Sequence, residues 1–375
     1  APGLAGVWQG FVSRHSELNQ NLGSRFELTL TSTGAASGSL ITGISRLKFK
    51  ASLNAAVASA NRSSINIHLP RSNSTPLNLQ IRLDHAKGTA VGLLSHPSSN
   101  VAVEFHGWRS ANANSTPQAA DFSTPFHLAL TNPDESVDLP RGVGFARFTP
   151  SPTQGRLQFS GLLADGSILN SSAVVGLGGQ VLLYQYLSGN GGTLAGVLSV
   201  PQVGEDALTA YIAVSPSCLK LPASAKSKDR AYRRGFGPIP LLAAGRRFTV
   251  AAGSVVPGAS ATLGFSHFGN LNDSNLNVPL QVRNPKPSGY SNVFTFQAAS
   301  NLQNVSLQAL DILSGRFSGA FNIPPFSGTV PLKVSFHGLM ISNGNGYHGQ
   351  GYFLRPTDSG KEAPLNSCRV DFTSP

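Results

Sequence analysis

Apolar and polar side chains alternate one by one over short runs along nearly the whole chain, and this period of two constrains the fold more than any other feature. Phe26, Leu28 and Leu30 alternate with Arg25, Glu27 and Thr29; Leu47, Phe49 and Ala51 alternate with Lys48, Lys50 and Ser52. Successive side chains of a strand point to opposite faces, so such a run is a half-buried strand and cannot be an amphipathic helix. The pattern returns in 65–69, 77–83 and 101–107. Thr33-Gly34, Ser37-Gly38, Asp165-Gly166 and Gly189-Asn190-Gly191-Gly192 supply turn chemistry between runs. The 40 glycines and 25 prolines rule out a framework of long helices. The predicted class is all-β, with tandem antiparallel barrel or sandwich units built from repeated hairpins such as 23–53, 142–162 and 310–339.

The runs group into units. Residues 1–110 form a first barrel or sandwich, in which pairing of the first and last strands brings Trp8 and Trp108 together. Residues 111–125 are polar, Pro-punctuated linker, and 126–215 form a second β unit. Residues 216–240 show no periodicity and read as a basic surface excursion. Residues 241–375 form a third β unit, packed with the second and rich in Phe.

Charged residues are only 12% of the chain, about half the usual share of roughly 25%. Solubility then rests on Ser, Thr, Asn and Gln, a habit of exported β-proteins. The net charge is +11, and Lys220, Lys226, Lys228, Arg230, Arg233, Arg234, Arg246 and Arg247, opposed only by Asp229, supply +7 of it within 28 residues. That cluster predicts a patch for an anionic surface or partner. The chain opens on Ala1-Pro2-Gly3, as a secreted or cell-surface product does after signal-peptide removal. No apolar run is long enough for a spanning helix, and the Thr373-Ser374-Pro375 ending with no aromatic girdle argues against an outer-membrane barrel. Cys218 and Cys368 predict one long-range disulfide, with two buried thiols as the alternative. Asn61, Asn73, Asn114, Asn170, Asn272 and Asn304 are acceptor sequons for glycosylation in a suitable host.

The stretch Ser32-Thr33-Gly34-Ala35-Ala36-Ser37-Gly38-Ser39-Leu40 resembles the TSTGxxSGxL hairpin of β-domains in large secreted and surface proteins of Verrucomicrobia-type bacteria. Segments 161–166, 315–321 and 349–354 follow in the same order. The resemblance implies non-catalytic surface or adhesion-like modules, and the basic segment 220–234 departs from its pattern.

Catalytic and metal signatures are weak. Gly344-Asn345-Gly346-Tyr347-His348-Gly349 has the letters of a dinucleotide loop, but a strand follows it where a helix is required. No HExxH and no Gly-x-Ser-x-Gly elbow occurs. Glu104 and Asp311 are the acids nearest apolar strands, and a glycosidase would need such a pair across one cleft. Residues 134–138 and 270–275 carry calcium-type oxygens but lack the EF-hand spacing and read as solvated loops. No cofactor or metal is expected, and no module that reads nucleic acid is recognisable. The leading expectation is a non-enzymatic structural or adhesive exported protein, a homo-oligomer or polymer assembling through strand-edge pairing. Through its basic cluster the protein could also take anionic surface polysaccharide as a partner. The alternatives are a carbohydrate-binding module with Tyr184, Tyr186, Tyr347 or Tyr352 stacking on sugar, and a polysaccharide-active enzyme.

Overall fold

The computed structural model describes residues 5–54, 61–71, 74–111, 125–151, 156–187, 191–200, 207–210, 215–224, 227–248, 260–267, 276–283, 293–298, 304–311, 314–323, 331–342 and 347–374. The protein is all-β. Its described strands form three antiparallel sheets, and the only described helix is the single turn α1 (Ser16–Asn19).

The first sheet holds β1 (Gly6–Val12), β2 (Ser24–Leu30), β3 (Ala35–Thr42), β4 (Ser45–Ser52), β5 (Arg62–Arg71), β6 (Ser74–Asp84), β7 (Thr89–Ser95) and β8 (Ala102–Arg109). Two meanders, β1 to β4 and β5 to β8, join through a β1–β8 ladder. The sheet curls until β4 lies beside β5 without a ladder, so it is a nearly closed barrel. The sequence placed these end strands together correctly, but not their tryptophans. Gln9 lies opposite Trp108, so Trp8 and Trp108 point to opposite faces. Trp8 fills the barrel core with Phe26, Phe49 and Phe105, whereas Trp108 packs outside it on the second unit. The core residues are the apolar members of the alternation, and Arg25, Glu27, Lys48 and Lys50 occupy the outer face. Phe105 lies flat across the paired glycines Gly10 and Gly107, where a Cβ on Gly10 would come within 2.3 Å of its ring.

The second sheet contains β9 (Phe126–Thr131), β10 (Val143–Ser151), β11 (Arg156–Leu162), β12 (Ile168–Val174), β13 (Gln180–Tyr186), β14 (Gly192–Ser199), β15 (Ala207–Ala210), β16 (Ser217–Lys220), β17 (Phe236–Pro240) and β18 (Leu242–Arg247). Its path is β12-β11-β10-β9-β18-β15-β14-β16-β17, with β13 also on β14. Two expectations change here. Residues 216–240 are no surface excursion, because their two ends are β16 and β17, paired to each other and to β14. Strand β18, placed by sequence in the third unit, hydrogen-bonds to β9 and β15 in the second. Strand β14 is buried on both faces, which explains its unbroken run of small and apolar residues, TLAGVL.

The third sheet is a closed barrel of β19 (Ser260–Ser266), β20 (Leu276–Arg283), β21 (Val293–Ala298), β22 (Ser306–Asp311), β23 (Arg316–Ile323), β24 (Leu332–Ser342), β25 (Tyr347–Pro356) and β26 (Leu365–Ser374). Eight strands leave an interior just wide enough for side chains to fill. Phe265, Phe317, Phe321, Phe336, Phe353 and Phe372 fill it. Closure leaves this unit no open edge, which removes it as a partner for strand-edge pairing. No helix among the described residues is long and apolar enough to cross a membrane.

The expected disulfide is absent. Cys218 and Cys368 are both buried and unjoined. Cys218 belongs to the core of the second sheet and Cys368 to the interior of the closed barrel. Burial pushes the Cys218 thiol far above its usual range, as expected for a small core residue rather than a reactive one.

Candidate functional site

The basic cluster of 220–247 does not converge. Lys220 points inward, its side chain 2% exposed, and donates from Nζ to Asp165 Oδ2 at 2.7 Å and Asp229 Oδ2 at 2.9 Å. Burial alone would pull this ammonium down; the two carboxylates outweigh it and hold it above its ordinary value. Arg230 donates from Nε to Ala363 O at 2.8 Å, and its own carbonyl accepts from Leu365 N–H. Tyr232 Oη accepts from Ser367 N–H at 2.8 Å and donates to Leu139 O. This stretch therefore clasps the second sheet to the closed barrel. Arg247 lies over the Phe126 ring at 5.3 Å. Only Lys228, Arg234 and Arg246 are exposed, Arg233 is half-buried, and Lys226 lies outside the described residues. The cluster dissolves because charge density along a sequence says nothing about which way each side chain faces.

Cations do converge elsewhere, on the outer face of β1 to β4. Register builds that face as rungs. Val7, Thr29, Ser37 and Lys50 form one rung, and Gln9, Glu27, Ser39 and Lys48 form the next. Phe11, Arg25, Ile41 and Arg46 form the third. Strand β4 thus presents Arg46, Lys48 and Lys50 as a row of exposed cations beside a floor of short hydroxyl side chains. The far wall comes from the second sheet: Arg156 on β11 and its β12 partner Val174, whose N–H donates to Gln9 Oε1 at 3.3 Å. The walls enclose an open groove of about 680 Å³. Its lining contains four cations, Arg46, Lys48, Lys50 and Arg156, and one carboxylate, Glu27. Glu27 is already engaged by Arg25, by Arg46 at 3.7 Å and by the Ser39 hydroxyl at 3.4 Å. Sequence reasoning saw Lys48 and Lys50 as outward strand positions and missed the site. The signal was there in Arg46, Lys48 and Lys50 at every second residue; Arg156 had none.

The first unit is fastened to β14 and β16 of the second by Arg14, which follows β1. It donates to Asn21 O, to Thr193 Oγ1 and O, and to Ser217 Oγ and O, at 2.6 to 3.0 Å. Burial lowers this guanidinium to about 10, still fully charged at neutral pH. Tyr184 adds to the joint, donating to Gly23 O at 3.2 Å and accepting from Gly43 N–H at 2.8 Å. Tyr184 is thus an anchor and not a sugar platform, and Tyr352 is equally buried, against Phe145 and Leu339. Tyr186 is half-buried.

A second junction joins β9 to the closed barrel. His127 is fully buried, stacks on Phe248 with centroids 4.0 Å apart, and donates from Nδ1 to Met340 O at 2.6 Å. Its Nε2 has no hydrogen-bond partner among the described residues. Burial, with Arg147 and Arg316 nearby, lowers this imidazole to about 4 against the pull of the Met340 bond.

The other candidates separate. Glu104 sits on β8 of the first sheet and bonds His106, whereas Asp311 sits on β22 of the closed barrel, so they line no common cleft. Among the described residues no group of three or more His, Cys, Asp or Glu could hold a metal. Of the sequons, Asn61, Asn170 and Asn304 are exposed, while Asn73, Asn114 and Asn272 lie outside the described residues, as do 270–275 and Gly344 to Gly346.

No protein-family model and no curated protein matches the chain. Two solved structures of transferrin binding protein B are similar at 10% identity, covering 99% of this chain and 76% of theirs. One is a double mutant from Haemophilus parasuis Hp5, with a TM-score of 0.23, and the other is isotype 1 from serogroup B Neisseria meningitidis, with 0.25. Superpositions this loose transfer neither site nor activity.

Proposed function

We propose that the chain is a non-catalytic, adhesive binding protein of the cell exterior that holds an anionic polymer in the groove between its first and second sheets. The observation that carries this reading is the convergence of Arg46, Lys48, Lys50 and Arg156 on one open groove whose one carboxylate among the described residues is already paired. Cations that share a concave face reinforce each other's field within a Debye length of about 8–10 Å. The lining offers charge and hydroxyls for holding a ligand, and its acid is occupied, which suits binding rather than acid–base chemistry. Low overall charge and the Ser/Thr-rich surface support an exported setting.

The test is retention on immobilised polygalacturonate over a salt gradient. Lys48→Glu with Lys50→Glu is expected to abolish retention, and Lys228→Glu with Arg234→Glu, which alters net charge equally on the clasp, is expected to leave most of it. Equal loss from both pairs would show that net charge alone binds and would overturn the proposal.

A further inference from the structure

Resting on that reading, we infer that the groove takes an extended acidic polysaccharide lying lengthwise along β4, pinched between Lys48 and Lys50 on one wall and Arg156 on the other. Alternate residues of a strand are roughly 7 Å apart on one face, so Arg46, Lys48 and Lys50 form a ladder of cations at that spacing. A folded or compact anion meets one or two of them; an extended chain with regularly repeating carboxylates or sulfates meets all.

The ladder is not uniform. Arg46 is drawn to Glu27 at 3.7 Å, and its rung holds Ile41 and Phe11 rather than hydroxyls. Lys48 and Lys50 stand beside Ser39 and Ser37, with Thr29 one strand further on. Free charge and hydrogen-bonding floor therefore coincide at Lys48 and Lys50; Arg156 and Val174 line the same groove, and Val174 reaches Gln9 of the Lys48 rung. Short hydroxyl side chains both donate and accept, which suits the hydroxyls of a sugar ring. Single-stranded nucleic acid is the competing polyanion, and its binding relies on aromatic rings that stack on bases. Among the described lining residues the one ring, Phe49, is buried in the barrel core. The same place thus offers cations and hydroxyls without a stacking face.

Calorimetry with the full chain decides this, using size-graded oligogalacturonates and deoxythymidine oligomers of matched charge. Affinity for the galacturonates is expected to rise with length until the ladder is spanned and then level off. Lys48→Gln, Lys50→Gln and Arg156→Gln should each weaken the longest oligomer about fivefold, and Arg46→Gln less than twofold. Ser37→Val with Thr29→Val keeps every charge and should weaken the galacturonates while leaving the weaker thymidine binding unchanged. Equal affinity for both polymers, or an unchanged galacturonate affinity in the Ser37/Thr29 variant, would overturn the inference while leaving anion binding in the groove intact. Failure of every polyanion to bind would overturn the underlying reading as well.

Discussion

Acid should loosen the closed barrel from the second sheet through one imidazole. His127 lies at 0% exposure between β9 and the barrel, bonded by Nδ1 to Met340 O and stacked on Phe248. To charge this ring the protein must place a cation in a dry site near Arg147 and Arg316, so the folded chain takes the proton only near pH 4, against 6.5 for the free side chain. Between those values the unfolded chain holds more protons, so stability rises with pH across the window and falls as pH drops through it. At about 1.4 kcal/mol per pH unit, the interval from 6.5 to about 4 amounts to about 3 kcal/mol lost on full acidification. The perturbation is His127→Phe, which keeps a ring on Phe248 and removes the titration. It sacrifices the bond to Met340, a cost of about 1–3 kcal/mol that does not vary with pH. Urea unfolding of both proteins from pH 7 down to pH 4 isolates the term, because carboxylates common to both cancel in the difference. Wild type should lose about 3 kcal/mol more than the variant over that range. A difference that stays constant with pH would refute the reasoning.

Two further outcomes follow from the junctions. Lys220→Met strands Asp165, whose side chain is 1% exposed, as an uncompensated buried charge, and should cost about 3–5 kcal/mol in chemical unfolding; restoring much of that loss with Asp165→Leu added would identify the ion pair as the cause. Arg14→Met removes the donors to Asn21, Thr193 and Ser217 and should speed amide exchange at Thr193 and in β16, with a loss of at least about 2 kcal/mol; unchanged exchange there would show that Arg14 does not hold the first and second units together.

Local pattern and tertiary placement divide cleanly in particular residues. Glu27, Lys48 and Lys50 were legible as outward-facing, since their neighbours Phe26, Leu28 and Phe49 fill the core. What their face looks onto was not legible, because Arg156 is more than a hundred residues away and meets them only when β11 and β12 pack beside β1. Lys220 misled for the opposite reason. In sequence it heads a basic run, and only the fold brings Asp165 to it and turns it inward. Cys218 and Cys368 misled likewise, since an even count suggests a bond but two separate cores forbid one.

The sequence by itself determined the class: all-β, antiparallel and hairpin-built, with the core-facing residue at almost every second position. It could do so because a strand sorts its side chains by parity alone, a rule that operates over a few residues. Only the tertiary structure decided which strands close a barrel, which cations share a groove and which are buried against acids. Those outcomes depend on pairings between distant segments, and a local period of two is equally satisfied by many of them.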